Sequence, residues 1–250
     1  METNKYLQRI GFAGNPRPDL DTLIELHRTH LFSVPFENLD IHLGKEIILD
    51  TNRFYDKIVL NNRGGFCYEL NGLFYELLTV IGYNVKMISV RVANSKGGFG
   101  PDFDHIALIV KLEGEWLVDV GFGDSFILPI KLELDLPQPQ YEYVYKIVNH
   151  EEEYLKLARS LDGKEFNDQY IFTKKERALD EYTEMCIHNQ TSPKTMFTQK
   201  RICTLANEEG RATLSDLKLI VTKNGNKSET ILKDEDEFKL NLQKYFNITI

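Results

Sequence analysis

Cys67, His105 and Asp119 are the three side chains in this sequence whose types and surroundings together can carry nucleophilic chemistry. Cys67 sits in Arg63-Gly64-Gly65-Phe66-Cys67-Tyr68-Glu69-Leu70-Asn71, where a double glycine leads into a stretch with helical apolar spacing. A helix N-terminus stabilises a thiolate, which is the form of cysteine that attacks carbonyls. Gly64-Gly65 should let the backbone turn sharply and approach a ligand closely, beside free helix N–H groups that hold anions. Most free cysteines are small buried hydrophobes. Cys186 and Cys203 lack the glycine context and are read as structural.

His105 opens the apolar run Ile106-Ala107-Leu108-Ile109-Val110, at the mouth of a strand where it can serve as base to a thiol. None of His27, His30, His42, His150 and His188 sits as well for catalysis, the first two being placed on a helix. Asp119 interrupts Trp116-Leu117-Val118 and Val120. A carboxylate in such an apolar strand costs several kcal/mol unless paired, and an imidazole qualifies as the partner. With the hairpin turn at Gly114, however, a regular ladder offsets His105 and Asp119 by four residues, or roughly 13 Å. Their contact therefore demands a bulge, a strong twist or a displaced turn.

The elements that must position these groups follow from periodicity. Asp21 to Leu31 reads as a helix, after the turn signal Asn15-Pro16-Arg17-Pro18. A second helix runs from Cys67 to Ile81, with Leu70, Leu73, Phe74, Leu77, Leu78 and Ile81 in its stripe and Gly82 as its stop. From Val85 the period becomes two, and strands follow at 85–92, 105–112, 115–120, 141–148 and 154–157, with Glu113-Gly114 as a turn. Lys174 to Ile187 reads as helical. Short strands at 201–205 and 212–221 precede a closing amphipathic helix from Asp234 to Phe246, whose acidic first turn suits the helix dipole.

A chain of 250 residues buries a substantial core without disulfides, and its composition is that of a soluble globular enzyme. The net charge of -8 and the lack of a lysine or arginine cluster argue against nucleic acid as a partner. Three cysteines without CxxC spacing suggest neither zinc nor a redox pair, so no metal is expected and a reducing compartment fits. Without a signal-like N-terminus or an apolar run of roughly 18 residues, no membrane association is expected and the location reads as cytoplasmic. No oligomeric state follows.

The segments Pro-Phe-Glu-Asn-Leu at 35–39, Arg-Gly-Gly-Phe-Cys-Tyr-Glu-Leu-Asn at 63–71, His-Ile-Ala-Leu at 105–108 and Val-Asp-Val-Gly-Phe-Gly at 118–123 resemble the signatures of the arylamine N-acetyltransferases. Ser192-Pro193, Phe197 and the closing Tyr245-Phe246-Asn247-Ile248 extend the likeness over nearly the whole chain. The resemblance implies an α+β fold with an N-terminal helical bundle (1–83), a central antiparallel β-barrel (84–187) and a C-terminal α/β lid (188–250). These would present a Cys-His-Asp triad like that of cysteine proteases.

Carried over, Cys67 is the acetyl-accepting nucleophile, His105 its base and Asp119 the orienter. Phe36, Phe122 and Phe197 line the substrate pocket, and the segment holding Gly123 and Ser125 lies near coenzyme A. Arg63, Glu37 and Asn71 take structural roles. The implied reaction is ping-pong transfer from acetyl-coenzyme A, as co-substrate, to an arylamine, hydrazine or related amine. Within the family, the alternative is an amide synthase acting on a polyketide thioester. Outside it, the alternatives are a cysteine hydrolase or a binding homologue without turnover.

Overall fold

The first 81 residues carry five α-helices and one short strand in a computed structural model of the protein, which describes residues 1–151 and 153–250. Helix α1 (Thr3–Arg9) precedes α2 (Leu20–Ser33), which Asp19 caps by accepting the Thr22 N–H at 2.9 Å. One face of α2 buries Leu23, Leu26, His27 and His30. After the two-residue strand β1 (Phe36–Glu37) come the short helices α3 (Leu39–His42) and α4 (Thr51–Tyr55), then a π-helical turn at Asp56–Leu60. Helix α5 (Cys67–Ile81) has the bounds its stripe predicts, and Gly82 ends it at φ +103°, a conformation glycine adopts without penalty.

The double glycine works differently from the sequence expectation. Neither Gly64 nor Gly65 has a positive φ. A Cβ on Gly64 would lie 2.1 Å from the Pro35 carbonyl oxygen, and the β1 backbone exchanges bonds with Gly65, from Gly65 N–H to Pro35 O and from Glu37 N–H to Gly65 O. The glycines admit another stretch of the chain, not a sharp turn or a ligand. They fix the Pro-Phe-Glu segment alongside the entry to α5.

Eight strands form one antiparallel sheet: β2 (Asn84–Val92), β3 (His105–Lys111), β4 (Glu115–Val118), β5 (Ile130–Lys131), β6 (Gln138–Gln140), β7 (Tyr143–His150), β8 (Tyr154–Ser160) and β9 (Asn167–Arg177). Their order is β5-β4-β3-β2-β9-β8-β7-β6, and the sheet curls until β6 meets β5. Glutamine side chains bridge that seam. Gln138 accepts from Lys131 N–H and donates to Lys131 O, while Gln140 accepts from Ile127 and Leu128 N–H and donates to Leu128 O. Each amide takes the place of an absent peptide partner, so the barrel nearly closes without a backbone ladder there.

The barrel interior packs Ile88, Val90, Ala107, Ile109, Leu117, Phe126, Ile147, Leu157, Tyr170 and Phe172. Alternation along β3 sends Ile106, Leu108 and Val110 the other way, against α5 and the helical core. Lys174 to Ile187 is not one helix as predicted. Residues through Arg177 belong to β9, and a 3₁₀ turn at Leu179–Tyr182 leads to α6 (Thr183–Thr191). Pairing with β2, which sets Ile88 opposite Glu176 and Met87 opposite Arg177, overrides the helical preference of Lys174-Lys175-Glu176.

After α7 (Met196–Gln199), strands β10 (Ile202–Asn207), β11 (Gly210–Ser215), β12 (Lys218–Lys223) and β13 (Asn226–Ile231) form a meander, and β1 pairs with β10 to complete a second sheet. The predicted 212–221 strand is divided by a turn at Asp216, where φ is +46°. Strand β13 is exposed along its whole length and so carries no alternating pattern to read. Helix α8 (Glu235–Phe246) lays Phe238, Leu242 and Phe246 on this sheet, and Asp234 caps it through the Glu237 N–H. Among the described residues, no helix is long and apolar enough to cross a membrane.

Candidate active site

A displaced turn brings His105 and Asp119 together. Ladder pairs Lys111–Glu115 and Leu108–Val118 centre the hairpin on Glu113 instead of Gly114, with Leu112, Glu113 and Gly114 as its loop. His105 then lies eight residues before the centre and Asp119 six after, an offset of two. An even offset keeps both on one face, and diagonal neighbours approach to roughly 7–8 Å between backbones, within side-chain reach. His105 Nε2 and Asp119 Oδ2 are 2.8 Å apart, with both side chains buried. Since an ionised carboxylate only accepts, Nε2 carries the proton and Nδ1 is left for another partner.

Asp119 is held from several directions. Its Oδ1 accepts from Asn71 Nδ2 at 2.9 Å and from the Gly121 N–H at 3.0 Å. Its own N–H donates to His27 Nε2 at 3.1 Å. Asn71 lies one turn along α5 from Cys67, donates also to Ile106 O at 2.7 Å and accepts the Val120 N–H at 2.9 Å. Tyr68, next to Cys67, donates to the Phe103 and Asp104 carbonyls just before His105. The helix that begins with Cys67 is thus tied to strand β3, which carries His105, and to the segment after β4 that carries Asp119.

Burial pushes the Cys67 thiol well above its ordinary value, and the carboxylates of Asp104 and Asp119 push the same way, while the Tyr68 N–H pulls it down. The helix start stabilises a thiolate as expected, through the Tyr68 N–H, but desolvation outweighs that one donor. A thiolate here requires an adjacent cation. Beneath the site, a buried ionic cluster fixes the entry to α5. Glu69 accepts the Phe66 N–H at 2.8 Å and pairs with Lys57 at 2.8 Å, Lys57 pairs with Asp40 at 2.8 Å, and Arg63 with Glu37 at 2.6 Å and Asp40 at 3.0 Å.

Phe36 and Phe197 meet around Phe66, the residue before Cys67, with Phe66–Phe197 centroids at 4.6 Å and Phe36–Phe66 at 5.8 Å. Phe122 lies apart from them, edge-on to His105 at 5.3 Å and to Tyr170 at 5.3 Å. Gly123 sits against the Phe36 ring at φ +85°, and its carbonyl accepts a hydrogen bond from Arg211. Ser125 lines a cleft of about 440 Å³ between the barrel and the second sheet, with Asp124, Tyr143, Gly210 and Arg211. Asp124 pairs there with Arg159 at 3.1 Å and Arg211 at 3.4 Å. Neither arginine stands out in the sequence, because each lies in a strand far from the motifs.

Residues 19–250 match the N-acetyltransferase family profile. The chain is 34% identical to the arylamine N-acetyltransferase pineal gland isozyme NAT-3 of Gallus gallus, covering all of this chain and 95% of that protein. A single-substitution variant of the arylamine acetyltransferase of Mycobacterium smegmatis superposes with a TM-score of 0.92 at 30% identity, over 99% of this chain and 93% of the other. The arylamine N-acetyltransferase of Mycobacterium marinum, solved in complex with CoA, gives 0.91 at 27% identity, over 99% and 93%. With the profile matched over most of its length and relatives aligned along all of it, the chain is an acyltransferase of the arylamine N-acetyltransferase family.

Proposed function

We propose that this protein moves an acetyl group from acetyl-coenzyme A through a Cys67 thioester to an arylamine, hydrazine or related amine. The observation that carries the reading is the 2.8 Å contact between His105 Nε2 and Asp119, on a strand and a following loop that Asn71 ties to the Cys67 helix. It leaves Nδ1 as the base. The Cys67 proton passes to Nδ1, sulfur attacks the thioester carbonyl, and the bond to the coenzyme A sulfur breaks as that thiolate takes the proton. The amine nitrogen then attacks the acetyl-cysteine, the bond to Cys67 breaks, and the amine proton leaves through His105. Thioester exchange is nearly balanced, and amide formation draws the sequence forward.

Asp119 keeps the proton on Nε2 and stabilises the imidazolium, which supplies the cation that the buried thiolate needs. Phe36 and Phe197, backed by the buried Phe66, form one aromatic wall for the amine, and Phe122 forms the wall on the His105 side. Coenzyme A passes Gly123 and Ser125 at this cleft, where Arg211 is paired with Asp124, and Glu142, Glu208 and Glu209 also line the wall. The three units 1–83, 84–187 and 188–250 contribute the nucleophile, the base with its orienter, and the wall bearing Phe197. The three cysteines are free, in keeping with the cytoplasm as the protein's location.

Incubation with acetyl-coenzyme A followed by intact-mass and peptide analysis tests the mechanism. One acetyl group should appear on Cys67 and leave when an arylamine is added, and Cys67→Ala should lose both events. Undiminished acetyl-coenzyme A dependent turnover in that variant sinks the proposal.

A further inference from the structure

His27 is buried completely, on α2, and both of its ring nitrogens are taken by a single loop. Nδ1 is 2.8 Å from the Ile127 carbonyl, and Nε2 is 3.1 Å from the backbone nitrogen of Asp119. These two residues are the ends of the segment that carries Asp119, Phe122, Gly123 and Ser125. The ring lies flat on Phe126, with centroids 5.5 Å apart and planes 5° apart, and Phe74 meets it edge-on at 6.3 Å.

The partners dictate the protonation state. A carbonyl only accepts, so Nδ1 bears the hydrogen. A backbone N–H only donates, so Nε2 is bare. Burial pushes His27 down to about 4, against the pull of the Ile127 carbonyl and the Asp119 charge, so the neutral ring persists at neutral pH. The Asp119 N–H has no ladder partner, because the β3–β4 ladder ends at Leu108–Val118 and β5 pairs no further than Leu117. His27 stands in for the missing strand.

We propose that His27 is a positioning residue for acyl transfer: its neutral imidazole staples both ends of the 119–127 loop, and so sets the Asp119 carboxylate and the Phe122–Ser125 stretch relative to Cys67. This rests on the reading of Asp119 as the orienter of His105. His27 touches neither acetyl group nor amine, and acts only through the loop.

Single-turnover acetylation by acetyl-coenzyme A, with kcat and KM for an arylamine, should be measured for His27→Leu, His27→Gln and Asp119→Asn, alongside thermal melts. His27→Leu removes acceptor and donor together and should slow acetylation by about 10²-fold in folded protein, as misplacement of a catalytic group does. His27→Gln presents an acceptor and a donor at imidazole-like separation and should restore most of the rate. A folded leucine variant with the wild-type rate, or a glutamine variant as slow as leucine, overturns the proposal.

Nitrogen-15 spectra of the wild-type protein decide the matter even where the leucine variant does not fold. Protonated Nδ1 with bare Nε2 on His27 supports the staple, and a proton on Nε2 overturns it. Loss of rate in Asp119→Asn with none in folded His27→Leu rejects the role of His27 alone. A full rate in Asp119→Asn rejects the reading of the triad itself.

Discussion

Asn71 donates its side-chain amide to the Asp119 carboxylate at 2.9 Å and to the Ile106 carbonyl at 2.7 Å, while its oxygen takes the Val120 N–H. One buried side chain on the Cys67 helix therefore joins the strand after His105 to the loop after Asp119. Asn71→Ala leaves all three partners buried without it. Each unpaired buried group costs about 1–3 kcal/mol, less what water entering the gap returns, so a loss of about 3 kcal/mol is expected from urea unfolding. A loss under about 1 kcal/mol would show that these bonds do not hold the helix to the sheet.

Asp119→Asn should keep the fold and remove most of the rate, for a reason visible in the two oxygens. Oδ1 receives the Asn71 amide and the Gly121 N–H, so an asparagine must place its oxygen there and turn its amide toward His105. The amide then donates to Nε2 and forces the ring proton onto Nδ1, which disables the base. A fall in the acetylation rate of about 10²–10⁴-fold is expected, as for an orienting carboxylate elsewhere. Stopped-flow acetylation at wild-type-like speed would mean that the tautomer is unimportant.

Gly121→Ala tests the spacing between helix and loop without touching a reacting group. A Cβ there would lie 2.6 Å from Asn71 Nδ2, 2.9 Å from the Cys67 carbonyl oxygen and 3.0 Å from Cys67 Cα. The backbone must move away from α5, and overpacking of this kind costs about 1–3 kcal/mol. A lower melting temperature and a larger loss of acetylation rate than the melting shift implies are expected together. A variant equal to wild type in both would show that the gap can widen freely.

Alkylation of Cys67 should report its dependence on a neighbouring cation. Burial raises the thiol, so without imidazolium the reactive thiolate forms only above the ordinary cysteine range of about 8.5. In His105→Ala, iodoacetamide should react slowly at neutral pH and faster only as the pH rises past that range. The wild-type protein should react at neutral pH already. Identical pH profiles for the two proteins would show that His105 does not supply the charge.

Lys57→Met removes the cation between Asp40 and Glu69 and should destabilise the fold by about 3–5 kcal/mol at neutral pH, since charges are left buried without it. Burial pushes Asp40 up, but Lys57 and Arg63 outweigh it and hold the carboxyl below its usual value. That contribution is present above the unfolded carboxylate value and is lost as the pH falls through the lower folded one. Burial raises Glu69 despite Lys57, so protonating it relieves the cost of an unpaired charge in the variant as the pH falls. The gap in urea midpoint between variant and wild type should narrow as the pH falls from 7 through the raised Glu69 range. It should narrow further only below the usual carboxylate range, where Asp40 protonates, and a constant gap would contradict this account.

Periodicity determines much of this protein by itself. The α5 stripe from Cys67 to Ile81 with Gly82 behind it, the helix ending in Phe246, and the alternation of β2 and β3 follow from side chains that repeat with the backbone's own period. Cys67, His105 and Asp119 are legible because each is a reactive group in an apolar or glycine-bounded setting. Contacts between distant segments carry no such period. A hairpin centre moved by one residue changes the offset of His105 and Asp119 from four to two, and both loops read equally well as a turn.

The strand ending at Arg177, the chain packed against Gly64, Arg211 on the Gly123 carbonyl and His27 at the Asp119 N–H were all decided by what lay across from them. For His27 a trace was present, a histidine on the buried stripe of α2 with Leu23 and Leu26. A polar group on an apolar face says that a partner must exist, because burying it unpaired is too costly. Only the folded chain, by bringing the 119–127 loop onto α2, says which partner it is.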